Sequence, residues 1–374
     1  MISKNQKQKI LLAMSGGVDS SIAALLLKKQ GYEVIGAFMK NWSDTKDPLT
    51  GRCAWRTERK MALKIASQLN IPLITLDFEK QYRKEVIEKM FEKYKKGITP
   101  NPDIDCNQKI KFPLLLEEAK KRKINLIATG HYARVKKNKK NIYELLRGKD
   151  ESKDQSYFLY KVTQNELSHC LFPIGEYTKQ QIRDIAKKNH LPNYDKKGTV
   201  GICFIGKVNL KKFLQKKIKP KKGKILDPDG KVIGEHDGIY YYTIGQRLGP
   251  RYGFELDRGN KNKPSKWYVA EKDIKKNILV AAPKDHQLNF RKKIIIKDLH
   301  LISNNKNEFK GKKTKVLSRI RHVGELLPST LFYDKKSKQF NVILNEKITG
   351  ISEGQAIVLY QKEKVIGGGE ITFE

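Results

Sequence analysis

The stretch Ile10-Leu11-Leu12-Ala13-Met14-Ser15-Gly16-Gly17-Val18-Asp19-Ser20 decides the fold. Its first five residues are an apolar run with the length of a buried strand, and the residues from Ser20 to Lys29 follow a helical apolar pattern. Two adjacent glycines at the junction let the backbone turn tightly and come close to an oxyanion. The unpaired N–H groups and the dipole of the helix start favour negative charge there, so strand, loop and helix read together as a phosphate cradle. The loop lacks the lysine of a GxxxxGK[ST] motif and is not a Walker A loop built to transfer a terminal phosphoryl group. From this stretch alone, a serine-capped helix after a glycine turn is the simpler alternative.

Outward from the loop, strand-like runs (Glu33 to Phe38, Leu73 to Asp77, Leu126 to Thr129) alternate with helical ones (Arg59 to Gln68, Phe112 to Lys123) as far as about Ile205. That alternation predicts an α/β domain with a parallel sheet covered on both faces. After Lys224, turn signals such as Asp227-Pro228-Asp229-Gly230 and Glu235-His236-Asp237-Gly238 separate short β-rich pieces, including Tyr240 to Ile244 and Trp267 to Ala270. From about Lys293 the runs Ile294 to Ile296, Phe340 to Leu344 and Ala356 to Tyr360 predict a terminal all-β domain. The expected division is an α/β nucleotide-binding and catalytic domain (1–210), a small basic central β-rich domain (211–285) and a C-terminal β-barrel (286–374).

A chain of 374 residues is long enough for several domains, each with its own core. Its four cysteines (Cys53, Cys106, Cys170, Cys203) form no CxxC pair or His-rich cluster, which argues against structural zinc and against a secreted disulfide scaffold. Residues 1–9 are polar and basic, and no run of 18 apolar residues occurs, so a cytoplasmic, non-membrane protein is expected. The formal net charge of +37 would attract polyanions, nucleic acid first, with lysine-rich coding bias as the competing source of about half the excess. The densest stretch, Lys207 to Lys224, holds nine lysines and reads as a basic linker leaving the first domain.

Two cysteines stand in distinctive surroundings. Cys106 follows Thr99-Pro100-Asn101-Pro102-Asp103-Ile104-Asp105, where two prolines predict a loop between helices. Lys109 and Lys111 nearby, with a helix start facing the thiol, would favour a reactive thiolate, while an inert loop cysteine is the plainer reading. Cys203 in Gly201-Ile202-Cys203-Phe204-Ile205-Gly206 reads by itself as a buried core thiol.

The glycine loop resembles the PP-loop of the ATP pyrophosphatase group, whose members grip the β,γ-pyrophosphate and hand AMP to an acceptor oxygen. Ser15 to Ser20, Asn101-Pro102-Asp103-x-x-Cys106-Asn107, Ala128-Thr129-Gly130-His131-Tyr132-Ala133-Arg134, Lys153-Asp154-Gln155-Ser156 and the Cys203 segment occur in the order seen in one family. With Leu171 to Gly175, Tyr242 to Arg247, Gly354-Gln355-Ala356 and Gly367-Gly368-Gly369, the chain is similar to tRNA-specific 2-thiouridylases over nearly its full length.

That resemblance implies ATP-dependent replacement of the C2 oxygen of a tRNA wobble uridine by sulfur. The oxygen is adenylated and sulfur then arrives from a cysteine persulfide, giving 2-thiouridine, AMP and pyrophosphate. It implies that Cys203 carries the persulfide, that Cys106 resolves the intermediate through a transient Cys106–Cys203 disulfide or by releasing sulfide, and that Asp103 is a general acid or base. ATP would meet Ala13, Met14, Ser15, Gly16, Gly17, Val18, Asp19, Ser20, Met39 and Gly130. Transfer RNA would meet Asn101, Pro102, Asp103, His131, Lys153, Asp154, Gln155, Arg319, Arg321 and Gln355. ATP as substrate with Mg²⁺, no tightly bound cofactor or protein metal site, and a sulfur donor protein (a cysteine desulfurase or sulfur-relay carrier) complete the expectation.

The chain departs from the family pattern at Gly198-Thr199-Val200, where Asp-Ser-Thr is usual, at Lys207, where an acidic residue is usual, and at Arg56-Thr57-Glu58-Arg59. The first departure leaves open a basic tRNA-binding protein that has lost catalysis. Another PP-loop tRNA-modifying ligase is the enzymatic alternative, though its chemistry would need no persulfide.

Overall fold

A computed structural model describes residues 7–45, 53–196, 198, 205, 209–249, 266–322 and 324–373. Five parallel strands, β1 (Lys9–Ala13), β2 (Glu33–Lys40), β3 (Leu73–Asp77), β4 (Leu126–Ala128) and β7 (Cys170–Leu171), form a sheet of order β3-β2-β1-β4-β7. The central strand is buried on both faces, as its unbroken apolar run requires. Ile10 and Leu12 point into a core with helix α1 (Val18–Lys29) and helix α8 (Lys179–Lys188), while Leu11 points into the opposite core. Helices α2 (Ala54–Gln68), α3 (Glu79–Tyr82), α4 (Lys89–Lys95), α5 (Pro102–Cys106), α6 (Phe112–Lys121) and α7 (Gln164–Ser168) complete the layers. Between α3 and α4, and between α5 and α6, the chain runs through single π-helical stretches, Arg83–Glu88 and Asn107–Lys111.

The hairpin β5 (Ala133–Lys137) and β6 (Tyr143–Arg147) leaves this sheet and joins the last one. Between them stands a five-stranded sheet, order β10-β11-β12-β8-β9, from β8 (Gly223–Leu226), β9 (Val232–His236), β10 (Arg247–Leu248), β11 (Trp267–Asp273) and β12 (Ile278–Pro283). The final six strands are β13 (Phe290–Leu301), β14 (Thr314–Arg319), β15 (Leu327–Asp334), β16 (Gln339–Thr349), β17 (Ala356–Gln361) and β18 (Lys364–Thr372). Antiparallel pairing of β13 with β18 closes them into a barrel around Ile294, Leu331, Val342, Ile357 and Leu359. The expected sequence of parallel sheet, small β-rich unit and barrel is therefore the observed one.

Three local expectations are corrected. Tyr240 to Ile244 is not a strand: Ile239–Tyr241 is a 3-10 turn entered through Gly238 at φ +152°. The tyrosines drive this, because Tyr241 Oη donates to the Ile218 carbonyl at 2.5 Å and Tyr242 Oη to Asp237 at 2.6 Å while their rings are buried. Lys207 to Lys224 is not a plain linker either, since its described part contains helix α9 (Leu210–Gln215), capped by the Asn209 side chain. Phe213 there stacks on Phe91 at 5.4 Å and meets Trp42 edge-on at 6.1 Å, so the lysines flank an apolar anchor. The third concerns Cys106. Pro102 begins helix α5 instead of preventing one, because at the first helical position its missing N–H has no partner to lose and its φ is already helical.

Candidate functional site

The order β3-β2-β1-β4-β7 sends successive crossovers to opposite sides of β1, so a crevice opens beyond the carboxyl ends of β1 and β4. The glycine loop lies there. Gly16 adopts φ +73°, and a Cβ on it would stand 2.4 Å from the Glu58 carbonyl of α2, so only glycine fits. Gly17 is the N-cap of α1 without a side-chain cap, which rules out the simple serine-capped helix. The Ser20 and Ser21 hydroxyls instead donate back to the Gly17 carbonyl at 3.0 and 2.8 Å, and Ser15 N donates to Ser20 Oγ at 3.2 Å. These bonds fix the loop while the first N–H groups of α1 have no intrahelical acceptor.

Gly130, just beyond β4, packs on the loop from the other side: a Cβ there would be 2.8 Å from Ser20 N. Met39 closes the end of β2, buried in the core. Asn41, two residues on, is 1% exposed, and neither its Nδ2 nor its Oδ1 has a hydrogen-bond partner. Such an unmet carboxamide is costly inside a protein.

Several residues at the loop were not anticipated from the sequence. Asp19 Oδ1 accepts from Tyr132 Oη at 2.8 Å and from Lys179 Nζ at 2.6 Å. Asn193 Nδ2 donates to the Gly16 carbonyl at 3.1 Å and to Ser21 Oγ at 3.0 Å. Lys196 Nζ reaches the same carbonyl at 3.4 Å and Glu58 at 2.5 Å. Thr178, with Gln181 three residues on, is a readable capping box that starts α8 at Lys179, but nothing local says that this lysine meets Asp19.

The segment from Asn101 to Cys106 is helical and continues through Asn107–Lys111 into α6. Asp103 and Asp105 occupy its first turn, where carboxylates suit the dipole. Cys106 sits at the end of α5 with no exposure, and Lys111 lies 3.3 Å from His131. Cys203, Thr199 and Val200 lie outside the described residues, as does Lys207. Cys170 is buried on β7, and burial, with Glu166 adding to it, pushes its thiol well up. Cys53 is half-buried at the N-cap of α2.

Three expected tRNA contacts are turned inward. His131 is buried, stacked on Phe112 at 5.8 Å, with Nδ1 2.8 Å from Thr129 Oγ1. Burial first, and the Lys111 charge second, hold it well below the usual histidine range and therefore neutral. Asp154 is buried and accepts from Arg319 Nη1 at 2.7 Å, Arg147 Nε at 3.4 Å, and Gly148 N and Ser156 N at 3.1 Å. Arg319 is likewise buried, so this pair joins barrel strand β14 to the loop after β6. A buried charge needs such partners, which is why neither side chain reaches outward.

Gln155 Oε1 accepts from Tyr132 N at 2.9 Å, and Gln355 Nε2 donates to the Thr99 carbonyl at 3.0 Å, tying the barrel to the start of the Asn101 segment. Lys153 and Arg321 are exposed, and Arg321 donates to the Thr349 carbonyl at 2.6 Å. Among the described residues no group of three or more His, Cys, Asp or Glu side chains forms a metal centre, and no helix is long and apolar enough to cross a membrane.

Comparison with known proteins covers the whole chain. Three family models match in succession: the tRNA methyl transferase HUP domain over residues 8–207, the tRNA methyl transferase PRC-barrel domain over 211–283 and the aminomethyltransferase beta-barrel domain over 291–371. The tRNA-specific 2-thiouridylase MnmA of Pediococcus pentosaceus is 39% identical over 371 residues, 99% of this chain and 96% of that protein. The one of Bacillus subtilis is 40% identical over 372 residues, with the same coverage. Among solved structures, a 4-thiouridine synthetase–RNA complex with bound ATP matches 56% of this chain and 50% of that chain at 15% identity and a TM-score of 0.37, too slight a likeness to argue from.

Proposed function

The chain belongs to the tRNA-specific 2-thiouridylase family, and on that premise we propose how its residues carry out the ATP-dependent thiolation of a tRNA uridine. The observation that carries the reading is the glycine loop at the switch point of the parallel sheet, packed against Gly130 on one side and against the Glu58 backbone of α2 on the other. Ala13 to Ser20 would hold the phosphates of ATP, with Met39 and Gly130 beside them. The unmet carboxamide of Asn41 offers a donor and an acceptor where a nucleobase on this strand would lie. Mg²⁺ would enter with ATP on the phosphate oxygens, as suits an ion that keeps few protein ligands. It would neutralise charge on the departing pyrophosphate.

In the proposed path the uridine C2 oxygen attacks the α-phosphorus and pyrophosphate leaves, so a poor leaving group becomes AMP. The terminal sulfur of a Cys203 persulfide then attacks C2 and displaces AMP. Cys106 thiolate attacks Cys203 Sγ, the electron pair of the S–S bond stays on the transferred sulfur, and a Cys106–Cys203 disulfide results, to be reduced by external thiol. In the alternative route Cys106 releases sulfide that attacks instead. Asp103, in the first turn of α5, would move the protons at the base. Asn101, Pro102, Lys153, Gln155, Arg321 and Gln355 would lie along tRNA, while His131, Asp154 and Arg319 support that surface from inside. Sulfur would come from a cysteine desulfurase or relay carrier in the cytoplasm. The proposed domain limits are 1–210, 211–285 and 286–374.

A tRNA-binding protein without catalysis, or a ligase of another chemistry, is not favoured, because relatives named as thiouridylases match along the entire chain. The test is AMP formation from ATP, with and without tRNA bearing a wobble uridine. AMP and pyrophosphate in equal amounts, dependent on that tRNA, are expected. ADP as product, or AMP release indifferent to tRNA, would contradict the proposal.

A further inference from the structure

A triphosphate brings several negative charges to a loop whose own charged residue is Asp19, and the loop from Ser15 to Ser20 contains no cation. The cations come from elsewhere in the chain. Lys179, the first residue of α8, places Nζ 2.6 Å from Asp19 Oδ1. Lys196, beyond the end of α8, places Nζ 3.4 Å from the Gly16 carbonyl and 2.5 Å from Glu58 Oε2. Arg183, one turn along α8 from Lys179, has a buried Nε without a hydrogen-bond partner, and its charge is felt at Tyr132, the donor to Asp19.

We propose that Lys179 and Lys196 are the pyrophosphate-binding cations of this site, and that Lys196 exchanges Glu58 for a β- or γ-phosphate oxygen when ATP binds. The inference rests on the reading of the loop as an AMP-forming ATP site. Lys196 and Glu58 are both partly exposed, and an ion pair between such groups contributes little. A phosphate oxygen at the start of α1 offers a charge-assisted bond in a field already favourable to anions, so the exchange is downhill. A lysine suits it, being a compact charge on a flexible stem. Asn193 and Lys196 also fix the Gly16 carbonyl, whose rotation into the cradle would set its negative end against the phosphates.

The test is calorimetric binding of inorganic pyrophosphate, ATP and AMP to the full-length chain. Lys179→Met and Lys196→Met should each weaken pyrophosphate and ATP binding at least about tenfold, the loss expected for one hydrogen bond between charged groups. AMP affinity should hold. Lys196→Arg should restore part of the loss, and Glu58→Gln, which releases Lys196, should bind pyrophosphate as tightly as the parent or more tightly. Lysine variants that keep the parent's preference for ATP over AMP overturn the proposal alone. Parallel loss of AMP and pyrophosphate binding in variants that unfold at the parent's midpoint overturns it too, since the lysines would then serve the whole nucleotide and not its pyrophosphate. A parent protein that binds neither pyrophosphate nor ATP overturns the proposal and the ATP-site reading together.

Discussion

Replacing Asp154 with alanine leaves the Arg319 guanidinium buried without its carboxylate, and breaking a buried pair in this way costs about 3–5 kcal/mol. Asp154→Ala and Arg319→Ala should therefore lower the thermal unfolding midpoint strongly. A variant of Arg319 that unfolds like the parent and has lost only tRNA affinity would show that the side chain works outward after all. His131 allows a sharper reading through pH. Burial depresses its folded-state pKa, so its contribution is full above the unfolded value and is lost as pH falls through about 6.5 toward the folded value, where the unfolded chain takes up a proton that the native one refuses. Stability should fall by up to about 1.4 kcal/mol per pH unit more steeply in the parent than in His131→Gln over that range. Equal slopes in unfolding scans between pH 7 and 5 would mean that His131 is not buried neutral. The cysteines divide by role: Cys203→Ser should fail to take labelled sulfur from a desulfurase, whereas Cys106→Ser should load it and fail to pass it on. Label retained on Cys203→Ser would move the persulfide to another thiol.

Helix α9 shows how a basic stretch is held. Phe213→Ala removes the ring that packs on Phe91 and Trp42 and should cost about 3–5 kcal/mol, read as a drop in the unfolding midpoint. An unaffected midpoint would mean that α9 contributes nothing to the first domain. The lysines concealed this element in the sequence, because Phe213, Leu214 and Ile218 are too few to outweigh nine cations in a pattern reading. By contrast β1, the glycine turn and α1 were legible, since an apolar run, two glycines and a helical pattern agree locally on one arrangement. The last domain was legible as β structure from its apolar runs and was expected to be a barrel, but the β13–β18 pairing that closes it was not, because it joins distant segments. The same limit explains the candidate site. Lys179 and Asn193 contact the loop across more than 150 positions, and no periodicity carries that information. Pro102 misled for a local reason, since a proline that starts a helix and one that forbids it differ only in the conformation of the residues C-terminal to it.

At the scale of the whole molecule, the net charge of +37 has to be divided between tRNA affinity and composition. Lys221, Lys222 and Lys224 are exposed, and among the described residues it is Lys216 and Lys217 that lie over the Phe213 and Phe91 rings, so reversing the first three to glutamate probes charge without disturbing the Phe213 anchor. Removal of each lysine–phosphate pair should reduce the slope of log affinity against log salt by about 0.7–0.9. An unchanged slope, measured by tRNA binding at several salt concentrations, would assign that charge to composition. The parallel-sheet domain and the closed barrel are tied together by Lys93 with Glu370, Asp154 with Arg319 and Gln355 with the Thr99 carbonyl, and the central half-barrel joins them through Lys272 with the Gly97 carbonyl, so the Asn101–Cys106 segment is framed by first and last domains alike. The whole assembly serves one reaction, the conversion of uridine to 2-thiouridine with ATP. The most direct measurement is mass spectrometry of nucleosides from tRNA incubated with the full-length protein, ATP, cysteine and a cysteine desulfurase, beside the Asp19→Ala variant. 2-Thiouridine at the wobble position with the parent protein, absent without ATP and lost in Asp19→Ala, is the predicted result; unmodified tRNA, or sulfur that appears equally without ATP, would contradict the account.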